Sequence, residues 1–188
     1  PVSALEGRFG FYQAFCGGQF HVDELTRHLG AEWCLPGIFY KPYPANHFTH
    51  AGIDAARSLR GSIDLALIAS IELGVPTPTV RTIGEPAELK ARPQSGYHAQ
   101  FSGPFTVAAA LLGGGGLGLA LDDFTDDRVR DPRYLDLAAR VRVVASAECD
   151  AIFPNQFPAV LRVTMRDGEV HERKVLANRG GPQNPLSV

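Results

Sequence analysis

A β-hairpin close to the C-terminus is the sequence feature that most constrains the fold. Apolar side chains recur at every second position at Leu161, Val163 and Met165, and a second extended segment covers residues 170–176. Asp167-Gly168 stands between the two segments, and this dipeptide favours the tight turns that join antiparallel strands. The chain therefore contains an antiparallel pair of strands.

Further strands are predicted upstream of the hairpin. Residues 64–73 alternate between apolar and polar side chains, which is typical of a strand with one buried face. Residues 141–145 show a shorter alternation of the same kind. Residues 74–100 contain four prolines and little periodicity, so we predict a long loop there, and such loops often act as lids or binding elements.

Helix signals occupy much of the remaining chain. Residues 22–29 form a predicted short helix, and Ser102 or Gly103 caps a buried helix that continues to residue 112. Asp131-Pro132 begins another helix, because aspartate caps well and proline suits the first helical position. The order of elements predicts an α+β fold with a mixed or antiparallel sheet and helices packed on one face.

Composition excludes several classes of function. The chain has 188 residues, of which 45% are hydrophobic, and a formal net charge of −2, which favours one or two globular units without affinity for nucleic acid or a membrane. No run of about 18 apolar residues and no signal segment is present, so we expect a cytoplasmic protein. Cys16, Cys34 and Cys149 form no CxxC pair, so neither a disulfide framework nor a metal–thiolate site is predicted.

The segment from Lys41 to Ala56 contains the strongest candidate site. Pro42 and Pro44 favour an extended backbone that presents Lys41, and Asn46 is a predicted N-cap. A helix that begins there turns one polar side outward, and this side comprises His47, His50, Asp54 and Arg57. A solvated helix face with no function is the alternative interpretation.

Spacing and charge in this segment favour anion chemistry over metal binding. The two histidines lie three residues apart with no carboxylate between them, unlike the HExxH zinc pattern, so no metal is predicted. A helix N-terminus beside a lysine is suited to a carboxylate, and a histidine can move a proton near neutral pH. The glycine run at residues 113–118 formally matches GxGxxG, but a helix precedes it, so nucleotide binding is not predicted.

Several blocks of sequence resemble the MmgE/PrpD family, which includes 2-methylcitrate dehydratase and cis-aconitate decarboxylase. The resemblance begins with Lys41-Pro-Tyr-Pro and continues with Phe48-Thr49-His50 and Ile53-Asp54-Ala55-Ala56. Further blocks occur in the same order upstream and downstream of this segment, at Leu5-Glu6-Gly7, Ala99-Gln100-Phe101-Ser102, Phe157-Pro158-Ala159, Gly181-Pro182 and Asn184-Pro185-Leu186. Phe105 stands where family members often have tyrosine.

The resemblance implies a cofactor-independent enzyme of two domains, with the active site in the cleft between a helical domain and a smaller α+β lid domain. The chain resembles the lid-bearing, C-terminal half, so we expect residues 1–40 to be a helical connecting segment and residues 41–176 the lid. Residues 177–188 are expected to be an irregular tail that returns to an N-terminal helical domain, which is the expected partner and precedes this chain. A homodimer is also compatible with the resemblance.

The resemblance also implies residue roles and an activity. Lys41, Asn46 and Ser102 are the expected substrate-binding residues, and His50, or alternatively His47, is the expected catalytic residue. The expected reaction is the dehydration of a 2-methylcitrate-like hydroxy polycarboxylate by a lyase of propionate metabolism, with little turnover by this chain alone. Decarboxylation or epimerisation of a related acid is the alternative reaction, and a non-catalytic binding or dimerisation module is the alternative class.

Overall fold

The computed structural model describes residues 2–187. Contacts divide the chain into two units, with the boundary between Ile38 and Phe39. The helices are α1 (Phe11–Cys16), α2 (Val22–Thr26), α3 (His50–Arg57), α4 (Thr77–Gly84), α5 (Ala87–Ala91), α6 (Gly96–Ala99), α7 (Gly103–Leu112), α8 (Pro132–Ala138) and α9 (Ala147–Asp150), and the strands are β1 (Ile68–Val75), β2 (Val141–Ala145), β3 (Ala159–Met165) and β4 (Val170–Val175).

The first unit contains only short helices. Neither α1 nor α2 has a buried residue, and the ring contact between Phe11 and Phe15, at 4.8 Å between centroids, lies within α1. The helix predicted over residues 22–29 ends early, at Thr26, because His28 has a φ of 58°, which a right-handed helix cannot contain. Local interactions therefore account for most of the order in this unit.

The second unit is built on a four-stranded mixed sheet in the order β2-β1-β3-β4. β1 pairs with β2 in parallel and with β3 antiparallel, and β3 and β4 form the predicted hairpin. Leu73 lies at the centre, paired with Val143 on one side and Leu161 on the other. The sheet and its packed helices confirm the predicted α+β fold.

Two helices cover the buried face of this sheet. α3 packs on β3 and β4, α7 packs on β2, and the two helices contact each other. α7 approaches the sheet closely because Gly103 has no side chain: a Cβ there would lie 3.2 Å from the Leu73 side chain. α7 is almost entirely buried but has only ten residues, and no helix among residues 2–187 is long and apolar enough to cross a bilayer.

The prediction of a long loop over residues 74–100 is wrong, because this stretch completes β1 and forms α4, α5 and α6. Three of the four prolines that suggested a loop stand at helix starts instead: Pro76 precedes α4, Pro78 lies in its first turn and Pro86 precedes α5. A missing N–H costs little at these positions. Ser95 caps α6 by accepting a hydrogen bond from the His98 backbone N–H.

The strand predicted over residues 64–73 begins four residues later and ends two residues later than predicted. Asp64 caps a 3₁₀ turn over Leu65–Leu67, and β1 begins at Ile68. The register of β1 against β3 shifts between Ile68 and Ser70. Ile68 is therefore buried, although the alternation of residues along the sequence assigned it to the opposite face of the strand. The position of such a bulge is determined by the pairing with β3, so the residue pattern of β1 alone does not predict it.

Candidate functional site

The candidate site lies on the segment Lys41–Asn46, which we call the strap, and on the first turns of the helix that follows it. Tyr43 and Ala45 are buried and Lys41 is exposed, so the strap presents the lysine outward as predicted. The backbone N–H of Asn46 donates to the carbonyl of Gln100 at 2.7 Å. This hydrogen bond fixes the end of the strap against the α6–α7 connection.

Asn46 is the N-cap that the sequence predicts. Its side-chain oxygen accepts the Phe48 backbone N–H at 3.0 Å, and its carbonyl accepts the Thr49 hydroxyl at 2.8 Å. The cap begins a 3₁₀ turn over His47–Thr49 that leads directly into α3. The Asn46 side-chain NH₂ group is left without a partner among the described residues and remains able to donate to a ligand.

Lys41 has no hydrogen bond or ion pair between its ammonium group and any residue in the range 2–187. It lines an open concavity of about 430 Å³ together with Pro44 of the strap and Leu117 and Leu121 of the following loop. Its charge contributes to lowering the pKa values of both His47 and His50. The structure therefore brings Lys41 and the two histidines within electrostatic reach of one another.

His47 is half-buried and makes one side-chain hydrogen bond. Its Nε2 lies 2.8 Å from the side-chain nitrogen of Asn178, and its ring packs against Phe157 at 5.0 Å between centroids. Burial, together with the charge of Lys41, lowers the pKa of His47. The ring is therefore held mostly neutral near neutral pH.

His50 is fully buried, which corrects the prediction that it lies on an outward polar face. Thr49 and His50 stand where the 3₁₀ turn becomes α3, and α3 is covered by α7 on one side and by the sheet on another. Its Nε2 donates to the Ala45 carbonyl at 3.3 Å, and its Nδ1 has no partner among the described residues. Burial, with the charges of His47 and Lys41, lowers the pKa of His50 to about 3.

A cluster of paired polar groups lies under the strap, and we call it the Tyr43 cluster: Tyr43, Asp54, Arg57 and Arg179. The Tyr43 hydroxyl donates to Asp54 Oδ1 and accepts from Arg179 at 2.6 Å and from Arg57 at 3.3 Å. Burial and the neighbouring Asp54 raise the pKa of Tyr43 to about 12. The Tyr43 hydroxyl therefore stays protonated across the neutral pH range.

Two site residues, Asn178 and Arg179, belong to the C-terminal segment after β4 and were missed by the sequence analysis. Asn178 contacts His47, and Arg179 contacts Tyr43 and donates to the Leu117 carbonyl at 2.6 Å. The segment has no periodicity, so no local pattern marks either residue. The neighbouring Gly180-Gly181 pair is the signal that was available, because paired glycines often mark a close backbone approach.

Ser102 has a structural task in this chain. Its hydroxyl is buried, accepts the Phe105 backbone N–H at 2.9 Å and donates to the Lys90 carbonyl at 2.5 Å. The hydroxyl thus caps α7 and also bonds to α5, so we leave Ser102 out of the proposed binding residues. Phe105 is also buried and stacks on Tyr134 at 5.7 Å between centroids.

The groups on the exposed side of the site are Lys41, Asn46 and His47, and we call them the open edge. They offer an ammonium group, an amide NH₂ and an imidazole, a set suited to a carboxylate. Among residues 2–187 no three histidine, cysteine, aspartate or glutamate side chains converge as a metal site would require.

Comparison with known protein families gives a match that covers more than half of the chain. A family model described as the MmgE/PrpD C-terminal domain matches residues 43–188, a range that begins two residues after Lys41 and includes both histidines, the Tyr43 cluster and Asn178. A search of curated proteins found no match.

Proposed function

The chain belongs to the MmgE/PrpD family, and from this premise we propose that it supplies carboxylate-binding and proton-handling residues to a lyase that dehydrates a 2-methylcitrate-like hydroxy polycarboxylate. The observation that carries the proposal is the open edge. The Lys41 ammonium group has no hydrogen bond or ion pair among residues 2–187, and its charge acts on His47, in the helical segment that Asn46 caps. An unpaired cation next to N–H donors favours binding of an anion.

The proposed chemistry requires such groups. A base removes a proton from the carbon next to a carboxylate, the hydroxyl on the adjacent carbon leaves with a proton as water, and a carbon–carbon double bond forms. Negative charge builds up on the carboxylate as the first proton leaves, and a positioned ammonium group with N–H donors stabilises it. We assign Lys41 and Asn46 to this carboxylate and assign no base to residues 39–187.

Between the two histidines, the proposal favours His47 for contact with the substrate. His50 is fully buried and uses its Nε2–H on the Ala45 carbonyl, so its role is to fix the strap. His47 is half-buried and its Nδ1 has no hydrogen-bond partner among the described residues. A group that exchanges protons with a substrate must reach it within hydrogen-bond distance, and the exposure of His47 meets this requirement better.

We further propose that residues 41–176 act as the lid domain of a two-domain enzyme in the cytoplasm and close over substrate held against a helical domain. Enclosure would exclude water and strengthen the attraction between Lys41 and the substrate carboxylate. This chain alone is therefore expected to show little turnover.

The test is a turnover assay on the full-length protein encoded by the gene. Substrate loss and the unsaturated product are followed by NMR with 2-methylcitrate, which also distinguishes dehydration from decarboxylation or epimerisation. Replacing Lys41 by methionine or His47 by glutamine is expected to lower kcat/KM about 100-fold, the effect of losing one positioned donor or proton-transfer group.

The matched control is Lys174→Met, which removes the same charge from an exposed lysine paired with Glu148, and its kcat/KM should change less than about twofold. Turnover that is unaffected by Lys41→Met would show that the open edge takes no part in catalysis. A full-length protein that binds polycarboxylates without converting them would instead favour a binding module.

A further inference from the structure

The glycine run after α7 forms a loop that lies against the Tyr43 cluster. The run begins at Gly113, directly after the last residue of α7. A Cβ at Gly118 would lie 2.5 Å from the Arg57 side chain and 2.9 Å from the Tyr43 ring, so the backbone approaches the cluster closely because glycine has no side chain. We call residues 113–121 the glycine loop.

Two charged side chains hold the backbone of the glycine loop. Asp123 is buried, and its Oδ2 accepts the backbone N–H of Gly115 at 3.0 Å and that of Ala120 at 2.8 Å. Arg179 donates to the Leu117 carbonyl at 2.6 Å. The loop is therefore held near both ends and at its middle in spite of its glycine content, and Leu117 has a defined place beside the Tyr43 cluster.

Two leucines of the glycine loop keep much of their apolar surface exposed. Leu117 is 48% exposed and Leu121 is 69% exposed, whereas Leu119 between them is buried. Leu117 and Leu121 line the same concavity of about 430 Å³ as Lys41, and this volume is within the range of roughly 300–1,000 Å³ of small-molecule sites. One concavity thus combines a cation with an apolar wall that a ligand can cover.

Charge and apolar surface together restrict the ligand of this concavity. None of the described residues that line it has a carboxylate side chain, and the Lys41 ammonium group has no ion pair among residues 2–187, so an anion is favoured. A polar group placed against the leucines would lose its hydrogen bonds to water without replacement. An alkyl group in that place gains from burial.

We infer that Leu117 and Leu121 determine specificity: while Lys41 holds the carboxylate of a small organic acid, the two leucines contact an alkyl branch of the same acid. The site therefore prefers alkyl-substituted acids over unsubstituted ones. The inference deepens the proposed function and rests on it for the carboxylate at Lys41. The contact involves no reacting atom, so its effect is on binding affinity.

The test is an NMR titration of the 188-residue chain with citrate and with 2-methylcitrate, which carries one additional methyl group beside a carboxylate. Burial of that methyl group should make 2-methylcitrate bind about fourfold more tightly. Nuclear Overhauser contacts should join the ligand methyl group to the δ-methyl groups of Leu117 or Leu121. Equal affinities, or a bound ligand whose methyl group contacts neither leucine, would overturn the inference, and this experiment needs no variant.

The double variant Leu117→Asn and Leu121→Asn removes the apolar wall at nearly constant side-chain size. The preference for 2-methylcitrate should disappear, whereas the affinity for citrate should change less than about twofold. Leu89→Asn is the matched control, because Leu89 is 52% exposed but does not line this concavity, and it should keep the preference. A fourfold preference that persists in the folded double variant would contradict the role of the leucines.

The response of Lys41 separates this inference from the proposed function. If both acids shift the Lys41 signals and 2-methylcitrate binds more tightly, both stand. If both acids shift Lys41 with equal affinity, the proposed carboxylate site stands and the role of the leucines fails. If neither acid shifts Lys41, the proposed carboxylate site fails and the inference fails with it.

Discussion

The open edge and the Tyr43 cluster are adjacent in the chain but differ in how their polar groups are satisfied. In the Tyr43 cluster one buried hydroxyl contacts Asp54, Arg57 and Arg179. At the open edge, the Lys41 ammonium group, the Asn46 side-chain nitrogen and His47 Nδ1 have no hydrogen-bond partner among residues 2–187. The Tyr43 hydroxyl thus uses its hydrogen bonds within the protein, whereas the Lys41 ammonium group uses none among the described residues.

We therefore expect the Tyr43 cluster to contribute mainly to stability and Lys41 at the open edge mainly to ligand binding. Substitutions in the Tyr43 cluster should lower the free energy of unfolding, because each leaves a buried charge or donor without its partner. Substitution of Lys41 at the open edge should leave stability almost unchanged and alter ligand binding or the proton affinity of His47 instead. The following changes test each side of the comparison, beginning with the largest expected effect.

Asp54→Ala should destabilise the chain most. It removes the carboxylate that accepts from Tyr43 and lies 3.4 Å from Arg57 and 3.6 Å from Arg179, leaving two partly buried guanidinium groups without a counter-charge. The expected loss is about 3 kcal/mol in the free energy of unfolding by urea. Asp127→Ala is the control, since that aspartate is fully exposed and 3.9 Å from Arg130, and it should change stability by less than about 0.5 kcal/mol.

His50 should make stability depend on pH. Its pKa is lowered to about 3 in the folded chain and is about 6.5 when unfolded, so the unfolded chain binds more protons between these values. The stability that His50 contributes is complete above about pH 6.5 and falls as the pH drops, by at most about 1.4 kcal/mol per pH unit.

Urea unfolding near pH 7 and near pH 5 measures this dependence. His50→Gln keeps an N–H donor for the Ala45 carbonyl but cannot titrate, so the loss of stability between the two pH values should be smaller by about 2 kcal/mol than in the unmodified chain. His98→Gln, at an exposed position, should not reduce the loss. Equal pH dependence in all three chains would show that His50 is not held neutral by burial.

Gly118→Ala should open the contact between the glycine run and the Tyr43 cluster. A Cβ at Gly118 would lie 2.5 Å from the Arg57 side chain and 2.9 Å from the Tyr43 ring, and its φ of 154° disfavours other residues. We expect a loss of about 1–2 kcal/mol in thermal or urea unfolding. Gly37→Ala, where a Cβ meets nothing within 4 Å, is the control. A similar loss of stability in this variant would show that the effect at Gly118 does not come from its contact with Arg57 and Tyr43.

Lys41→Met should have the smallest effect on stability, below about 0.5 kcal/mol, because the lysine is exposed and has no ion pair with any residue that the structure describes. It should instead raise the pKa of His47, since the lysine charge disfavours the imidazolium form. NMR titration of the His47 ring protons measures the change. A pKa that stays constant or falls would place Lys41 too far from His47 for a shared ligand.

Local signals explain which features the sequence predicted. The hairpin, the Asn46 cap and the Asp131-Pro132 helix start depend on neighbouring residues, and each is found where expected. The burial of His50 and the pairing of Tyr43 with Arg179 depend on α7 and on a segment 136 residues away. Such contacts follow from tertiary packing, so the helix periodicity at His50 indicated a polar face that the fold covers.

Citrate affinity measured with and without Lys41 tests most directly whether the open edge binds carboxylates. Titration of the 188-residue chain at low ionic strength, followed by NMR, should shift the signals of Lys41, Asn46 and His47 but not those of Tyr43. Lys41→Met should weaken binding about tenfold or more, whereas Lys174→Met should not. Equal weakening by both variants, or shifts that persist without Lys41, would contradict a carboxylate site at the open edge.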